Sequence, residues 1–151
     1  MINIGQMRTA HVRFVRAFER TVASAAEQAA QYTENNAKQR LTTHNRTGRL
    51  MRSTSGRVIR LPDEHRVRLE NHAMSRGGVG YASFVDKGNG TGYIYPKRAA
   101  FLRFRIGPLF IFAKRVRAYK GSYVFTKARR SGYLFAGHLL RTQLASLARS
   151  F

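Results

Sequence analysis

The sequence predicts an α+β domain with a long N-terminal helix, a central antiparallel β-sheet built of hairpins, and a C-terminal helix. Three observations predict it. Apolar positions recur at three- and four-residue spacing within residues 1–40, alternate with arginine within residues 56–126, and return to helical spacing over residues 128–149. Glycine- and proline-marked turns join these runs, and helices flanking a set of strands fit a single domain over residues 1–151.

The first run is periodic from Met7 to Arg40, through Val12, Val15, Phe18, Val22, Ala25, Ala29 and Ala37, with no Gly or Pro inside it. At 1.5 Å per residue such a helix reaches roughly 45–50 Å, longer than a small domain needs to cover its own core. Its alanine-rich second half suits close approach of another helix, either of this chain or of another subunit. Turn chemistry at Asn45-Arg46-Thr47-Gly48 ends it.

Arg57–Leu61 reads as a strand, Pro62-Asp63-Glu64 as a turn, and His65–Glu70 as the returning strand. Two glycine-rich loops follow, at residues 75–80 and 88–92, on either side of a compact segment Tyr81–Lys87. The second hairpin runs from Phe101–Ile106 through Gly107-Pro108 into Leu109–Ala118. A glycine turn at Gly121 and a short segment Tyr123-Val124-Phe125 lead to the last helix, whose first turns Gly132 and Gly137 weaken.

Length and composition set the class. A chain of 151 residues with 43% hydrophobic and 11% aromatic residues can bury a core, so it is a folded protein and not a polybasic tail. There is no cysteine, hence no disulfide framework or thiolate metal site. The start lacks the basic and apolar regions of a secretory signal, and no apolar run reaches bilayer-spanning length. No membrane association is expected.

The charge is large and local. Residues 38–130 hold 22 basic side chains against Asp63, Glu64, Glu70 and Asp86, a net +18 of the chain's +21. Most of the basic residues are arginine, whose planar fork grips phosphate or carboxylate with paired hydrogen bonds. A solubilising coat mixes both signs, and this one does not. The surplus implies a negatively charged partner, nucleic acid or acidic protein.

Alternation places the arginines. Arg66 and Arg68 oppose Val67 and Leu69; Arg103 and Arg105 oppose Leu102, Phe104 and Ile106; Arg115 and Arg117 oppose Val116 and Ala118. Period-2 alternation puts each pair on the outward face of a half-buried sheet, where like charges repel unless an anion covers them.

Catalytic patterns are missing. The five histidines are scattered without metal-ligand spacing, and Asp63-Glu64 read as a solvated turn tip. Gly88-Asn89-Gly90-Thr91-Gly92 lacks the Gly-Lys-Ser/Thr continuation of a phosphate loop and reads as a flexible loop. Four acids in the central region poorly support a two-metal nuclease. The expectation is a protein without enzymatic activity, metal or cofactor.

Three segments in order carry a resemblance. An alanine-rich helix runs into Thr47-Gly48-Arg49-Leu50-Met51-Arg52-Ser53; next come Tyr81-Ala82-Ser83-Phe84-Val85-Asp86-Lys87-Gly88 and then Pro96-Lys97 leading to Phe101-Leu102-Arg103-Phe104. Together they resemble the head–tail joining or tail-completion (neck) proteins of tailed bacteriophages, related in fold to tail terminators. Thr47, Gly48, Leu50, Tyr81, Ala82, Val85, Asp86, Gly88, Pro96 and Lys97 are the matching positions. After Val116 the sequence departs: Gly121-Ser122-Tyr123-Val124-Phe125 stands where the family has a proline-rich Pro-Phe-Leu segment.

The resemblance implies a structural virion protein made in the host bacterial cytoplasm. It would form a homo-oligomeric ring, a hexamer or alternatively a dodecamer, between portal/adaptor and tail proteins, with genomic DNA in its channel. The alternative from another class is a non-specific nucleic-acid-binding protein using its arginine-rich sheet faces.

Overall fold

The structure is a computed structural model that describes residues 4–44, 48–74, 80–90, 92–106 and 108–150, with the backbone alone at 44, 81, 104 and 106. The expected turn at residues 45–47, most of the glycine loop at residues 75–79, and residues 91 and 107 lie outside the described residues.

The first periodic run folds as helix α1, Ile4–Leu41. Its second half supplies the buried positions Ala25, Ala29, Ala30, Thr33, Ala37 and Leu41. The helix that the alanines admit belongs to the same chain. Helix α4, Val124–Arg149, runs antiparallel along them, with Tyr32 and Phe135 stacked at 4.3 Å between ring centroids. At Gly132 a Cβ would lie 1.9 Å from the Thr33 hydroxyl oxygen. Gly132 therefore offsets its poor helix propensity by letting two backbones approach. Gly137, one and a half turns on, faces open space.

After a short helix α2, Arg49–Arg52, the first hairpin forms as the alternation predicts. Strands β1, Thr54–Arg60, and β2, His65–Asn71, pair antiparallel with Val58 opposite Val67 and Arg57 opposite Arg68. Thr54, Gly56, Val58 and Leu69 turn toward α1; Arg57, Arg66 and Arg68 turn away. The segment Tyr81–Lys87 is helix α3. The core joins Ala37 and Leu41 of α1, Leu50 of α2, Leu69 and Ala73 from β2 and just after it, and Val124, Phe125 and Ala128 of α4; Ala82 and Val85 of α3 pack on it. Val124 and Phe125 thus open α4 and do not form a separate segment before it.

Among the described residues the strands do not form one sheet. They make three separate two-stranded ladders: β1–β2; β3, Tyr93–Ile94, with β6, Val116–Arg117; and β4, Leu102–Ile106, with β5, Leu109–Ala113. The expected strand Leu109–Ala118 is split. Ala113 already pairs with Leu102, the first residue of β4, so no β4 residue is left to pair beyond it. The chain turns at Lys114-Arg115 and pairs with β3 instead.

One carboxylate fastens α1 to the first hairpin. Glu34 accepts the Gly56 backbone N–H at 2.8 Å and ion-pairs with Lys38. The Gly56 hydrogen bond, then the Lys38 contact, hold its pKa below the usual glutamate value against a smaller desolvation effect. The folded state then binds fewer protons at Glu34 than the unfolded chain. The stability it contributes is full above the unfolded-state pKa and is lost as pH falls through the depressed folded value.

Glu34→Gln should lower stability at neutral pH by about 1–2 kcal/mol. It should also flatten the loss of stability below about pH 4.3, the ordinary glutamate value, read by urea titration at several pH values. A separate pair of variants reads the helix contact. Gly132→Ala should destabilise by about 1–3 kcal/mol through overpacking, whereas Gly137→Ala should be neutral or stabilise by up to about 1 kcal/mol in the same titration.

Candidate anion-facing surface

The six arginines singled out by alternation fall into two chemically different settings. Arg66 and Arg68 lie on the outward face of β2, as expected, with Arg57 directly across from Arg68. That like-charged pair is unfavourable by itself. Glu70, on the same face, offsets it: its carboxylate lies 3.7 Å from Arg57 and 3.6 Å from Arg68. Arg60, on the α1 side of β1, is ion-paired with Glu27 of α1, and on the outward face Arg66 is ion-paired with Glu64. This face is largely neutralised within the chain. Arg66 and Arg68 also border, with Arg129 and Tyr133, an open groove of about 590 Å³ between β2 and α4.

Arg103 and Arg105 behave differently. By register they share a face of the β4–β5 hairpin with Phe110 and Phe112. The Arg103 guanidinium lies 4.1 Å from the Phe110 ring centroid and that of Arg105 5.6 Å. Both distances are within cation–π range. Arg115 and Arg117 do not extend this face, contrary to the expectation of one long partner strand. Arg115 sits in the turn before β6, 4.5 Å over the Tyr93 ring, and Arg117 pairs by register with Tyr93. The structure therefore joins 66 with 68 and 103 with 105, and gives 115 and 117 separate environments.

The distribution of acids explains the division. Asp86 is the last acid in the sequence; residues 87–151 contain 14 basic side chains and no Asp or Glu. The ion pairs to carboxylates among the described residues are made by Lys38, Arg57, Arg60, Arg66 and Arg68, and His72 Nε2 lies 3.4 Å from Glu70. All six precede Asp86. Residues 87–151 thus hold +14 of the net +21, and there arginine leans on aromatic rings.

Compared with known proteins, the chain matches no family model, no curated protein and no solved structure.

Of the motif positions that carried the resemblance, Leu50, Asp86 and Gly88 are structural joints. Leu50 is buried in the core, and Gly48 before it adopts φ 71°. Thr47 lies outside the described residues, as does the side chain of Tyr81. Ala82 and Val85 pack on the core, while Pro96 and Lys97 lie in an irregular stretch ahead of β4.

Asp86 does the most. One carboxylate oxygen accepts the backbone N–H groups of Phe125 at 2.7 Å and Thr126 at 3.1 Å; the other accepts the Thr126 hydroxyl at 2.6 Å. These are the N–H groups an N-cap side chain serves, and Tyr123, at the cap position, offers none. The cap comes from 39 residues away. Its negative charge also meets the positive end of the helix dipole.

Gly88 keeps the joint tight. A Cβ there would strike the Tyr119 carbonyl, and its φ of 77° disfavours other residues. The loop read as flexible is thus pinned at its start, with the Asn89 N–H donating to the Tyr119 carbonyl at 3.0 Å and the Asn89 side chain accepting the Tyr119 N–H.

Among the described residues no group of three or more His, Asp or Glu could hold a metal ion, and no helix is long and apolar enough to cross a membrane.

Asp86→Ala should cost about 2–3 kcal/mol, since it removes a cap and leaves buried N–H groups unsatisfied. Asp86→Asn, which keeps an acceptor and loses the charge, should cost less. Thermal unfolding followed by circular dichroism at 222 nm reads both.

Proposed function

We propose that this chain is a structural protein of the virion neck of a tailed bacteriophage. In this reading, identical subunits made in the host cytoplasm form a ring, hexameric or dodecameric, that joins the portal/adaptor complex to the tail around the DNA channel. The protein completes a joint and catalyses nothing.

The observation that carries the reading is the role of its motif residues. The positions resembling the neck family hold the fold together at Leu50, Asp86 and Gly88, and the arginine-bearing surfaces remain for neighbours. Surface area supports an assembly subunit. The chain exposes 12000 Å², against about 7,800 Å² expected of a compact monomer of its mass. In a ring, the acid-free second half would face DNA in the lumen or acidic neighbouring proteins.

One observation favours the alternative of a free nucleic-acid-binding protein. The face bearing Arg103, Arg105, Phe110 and Phe112 combines positive charge with aromatic rings, the pairing that binds backbone and bases of single strands.

Electron microscopy of the purified protein separates the two, with a ring expected and a monodisperse monomer contradicting the neck reading. Arg103→Glu with Arg105→Glu should block assembly of infectious particles while leaving the subunit folded. For the alternative reading, the same double variant should reduce the slope of log K against log salt by about 1.8 on duplex DNA.

A further inference from the structure

Strand β2 pairs with β1 on one side only, and two hydrogen bonds fix which of its backbone groups face the other side. The Leu61 N–H donates to the Glu64 carbonyl at 2.8 Å, and the His72 N–H to the Ser53 carbonyl at 3.2 Å. Both pairs continue the β1–β2 register, so the hydrogen-bonded pairs fall on the even-numbered residues of β2. The N–H and C=O groups of His65, Val67 and Leu69 therefore point away from β1. Arg129 of α4 agrees with this direction, since its guanidinium donates to the Leu69 carbonyl at 3.4 Å. Among the described residues, no strand pairs along that edge and no hydrogen bond reaches the edge groups of His65 and Val67.

The edge borders the groove of about 590 Å³ between β2 and α4. Small residues line it from below, Ala29 of α1 with Gly132 and Ala136 of α4, and Tyr133, 80% exposed, stands beside them. His65 also has a buried ring nitrogen, Nδ1, with no hydrogen-bond partner among the described residues. The β1–β2 hairpin packs on α1, so the groove is the unfilled place of a third strand next to α4. Such a strand would lie about 4.8 Å from β2.

The chemistry of the edge selects its occupant. Donors and acceptors alternate along it, which suits an extended peptide backbone, and its carbonyls would repel a phosphate. Side chains of an added strand alternate as well. One set would lie over the small residues, and the other beside Arg66 and Arg68 on the outward face. Glu64 balances Arg66, but Arg57 and Arg68 share Glu70, and Arg129 has no ion pair among the described residues. Four arginines against two glutamates leave a surplus of +2 around the groove, which acids on the outward set would meet. A second copy fits poorly. Pairing of β2 with itself, or with the alternating strand β4 and its Arg103 and Arg105, would set arginine beside arginine.

We propose that the free edge of β2 at residues 65–69 takes, as a third strand, an extended segment of a different protein in which acidic and apolar residues alternate. Backbone hydrogen bonds to His65 and Val67 hold the segment, and its acids select it. This goes beyond the neck reading and requires neither a ring nor DNA.

The probe is an acetylated and amidated peptide, Glu-Val-Glu-Val-Glu-Val-Glu, with the same peptide carrying Lys in place of Glu as control. The acidic peptide should slow amide exchange at His65 and Val67 by about tenfold, read by NMR, and the basic one should leave it unchanged. Val67→Pro removes an edge N–H without removing a bond to β1. It should weaken binding of the labelled acidic peptide by about tenfold in fluorescence anisotropy. Arg129→Glu, at an exposed position, should weaken it by about fivefold at low salt, and it keeps the test open if the proline variant does not fold. Equal binding of both peptides, unchanged binding by the folded variants, or no saturable binding below about 1 mM would overturn the proposal. Protection of the same amides in the protein alone, rising with its concentration, would make a second copy the occupant and overturn it too. A ring in the microscope without peptide binding would overturn the docking edge and leave the neck reading standing. Peptide binding by a protein that stays monomeric would do the reverse.

Discussion

The Asp86 carboxylate lies buried at the first turn of α4, in a protein with a net charge of +21. It ties the half of the chain that contains acids to the half that contains none. Val124, Phe125 and Ala128 enter the core only if α4 starts at the right place, and no side chain at the start position sets it. The carboxylate supplies the acceptors and opposes the helix dipole, and Gly88 allows the backbone around it to close. From that point α4 runs antiparallel along the alanine face of α1, and Gly132 sets how close the two helices come. The remaining elements attach to this pair: the β1–β2 hairpin through Glu34, and α2 and α3 through the core.

The charge surplus looks different once its counter-ions are located. Glu64 and Glu70 serve the arginines of the first hairpin, so Arg66 and Arg68 are poorer anchors for an external anion than their alternation suggests. Arg103, Arg105 and Arg115 lie against aromatic rings. A guanidinium stacked on an aromatic face keeps its charge and has its edges turned to solvent, a state suited to meeting phosphate or carboxylate. The second half of the chain is therefore where an acidic or nucleic-acid partner has the most to gain.

Local signals made much of this legible in the sequence. The α1 boundaries follow from unbroken 3.6-residue spacing, and β1–β2 from strict alternation around Pro62-Asp63-Glu64. Contacts distant in sequence were not legible. The cap on α4 lies 39 residues from the helix it starts, and Gly132 reads only as a weak helix former until Thr33 is placed beside it. Two clues to the cap were present: Asp86 is the last acid, and α4 opens without a capping side chain of its own. Helix α3 has seven residues between glycines, too few for a periodic pattern. The split of the second hairpin depends on where β4 begins, and the alternation of arginine and apolar residues runs through Val116 and Arg117 regardless.

We propose that a chain exposing 12000 Å², well above the area of a compact monomer of its mass, works as a subunit of an assembly. Native mass spectrometry tests that claim most directly. We expect one dominant closed oligomer of the 17.2 kDa chain, persisting on dilution to micromolar concentration. A single species at 17.2 kDa over the whole concentration range would contradict it.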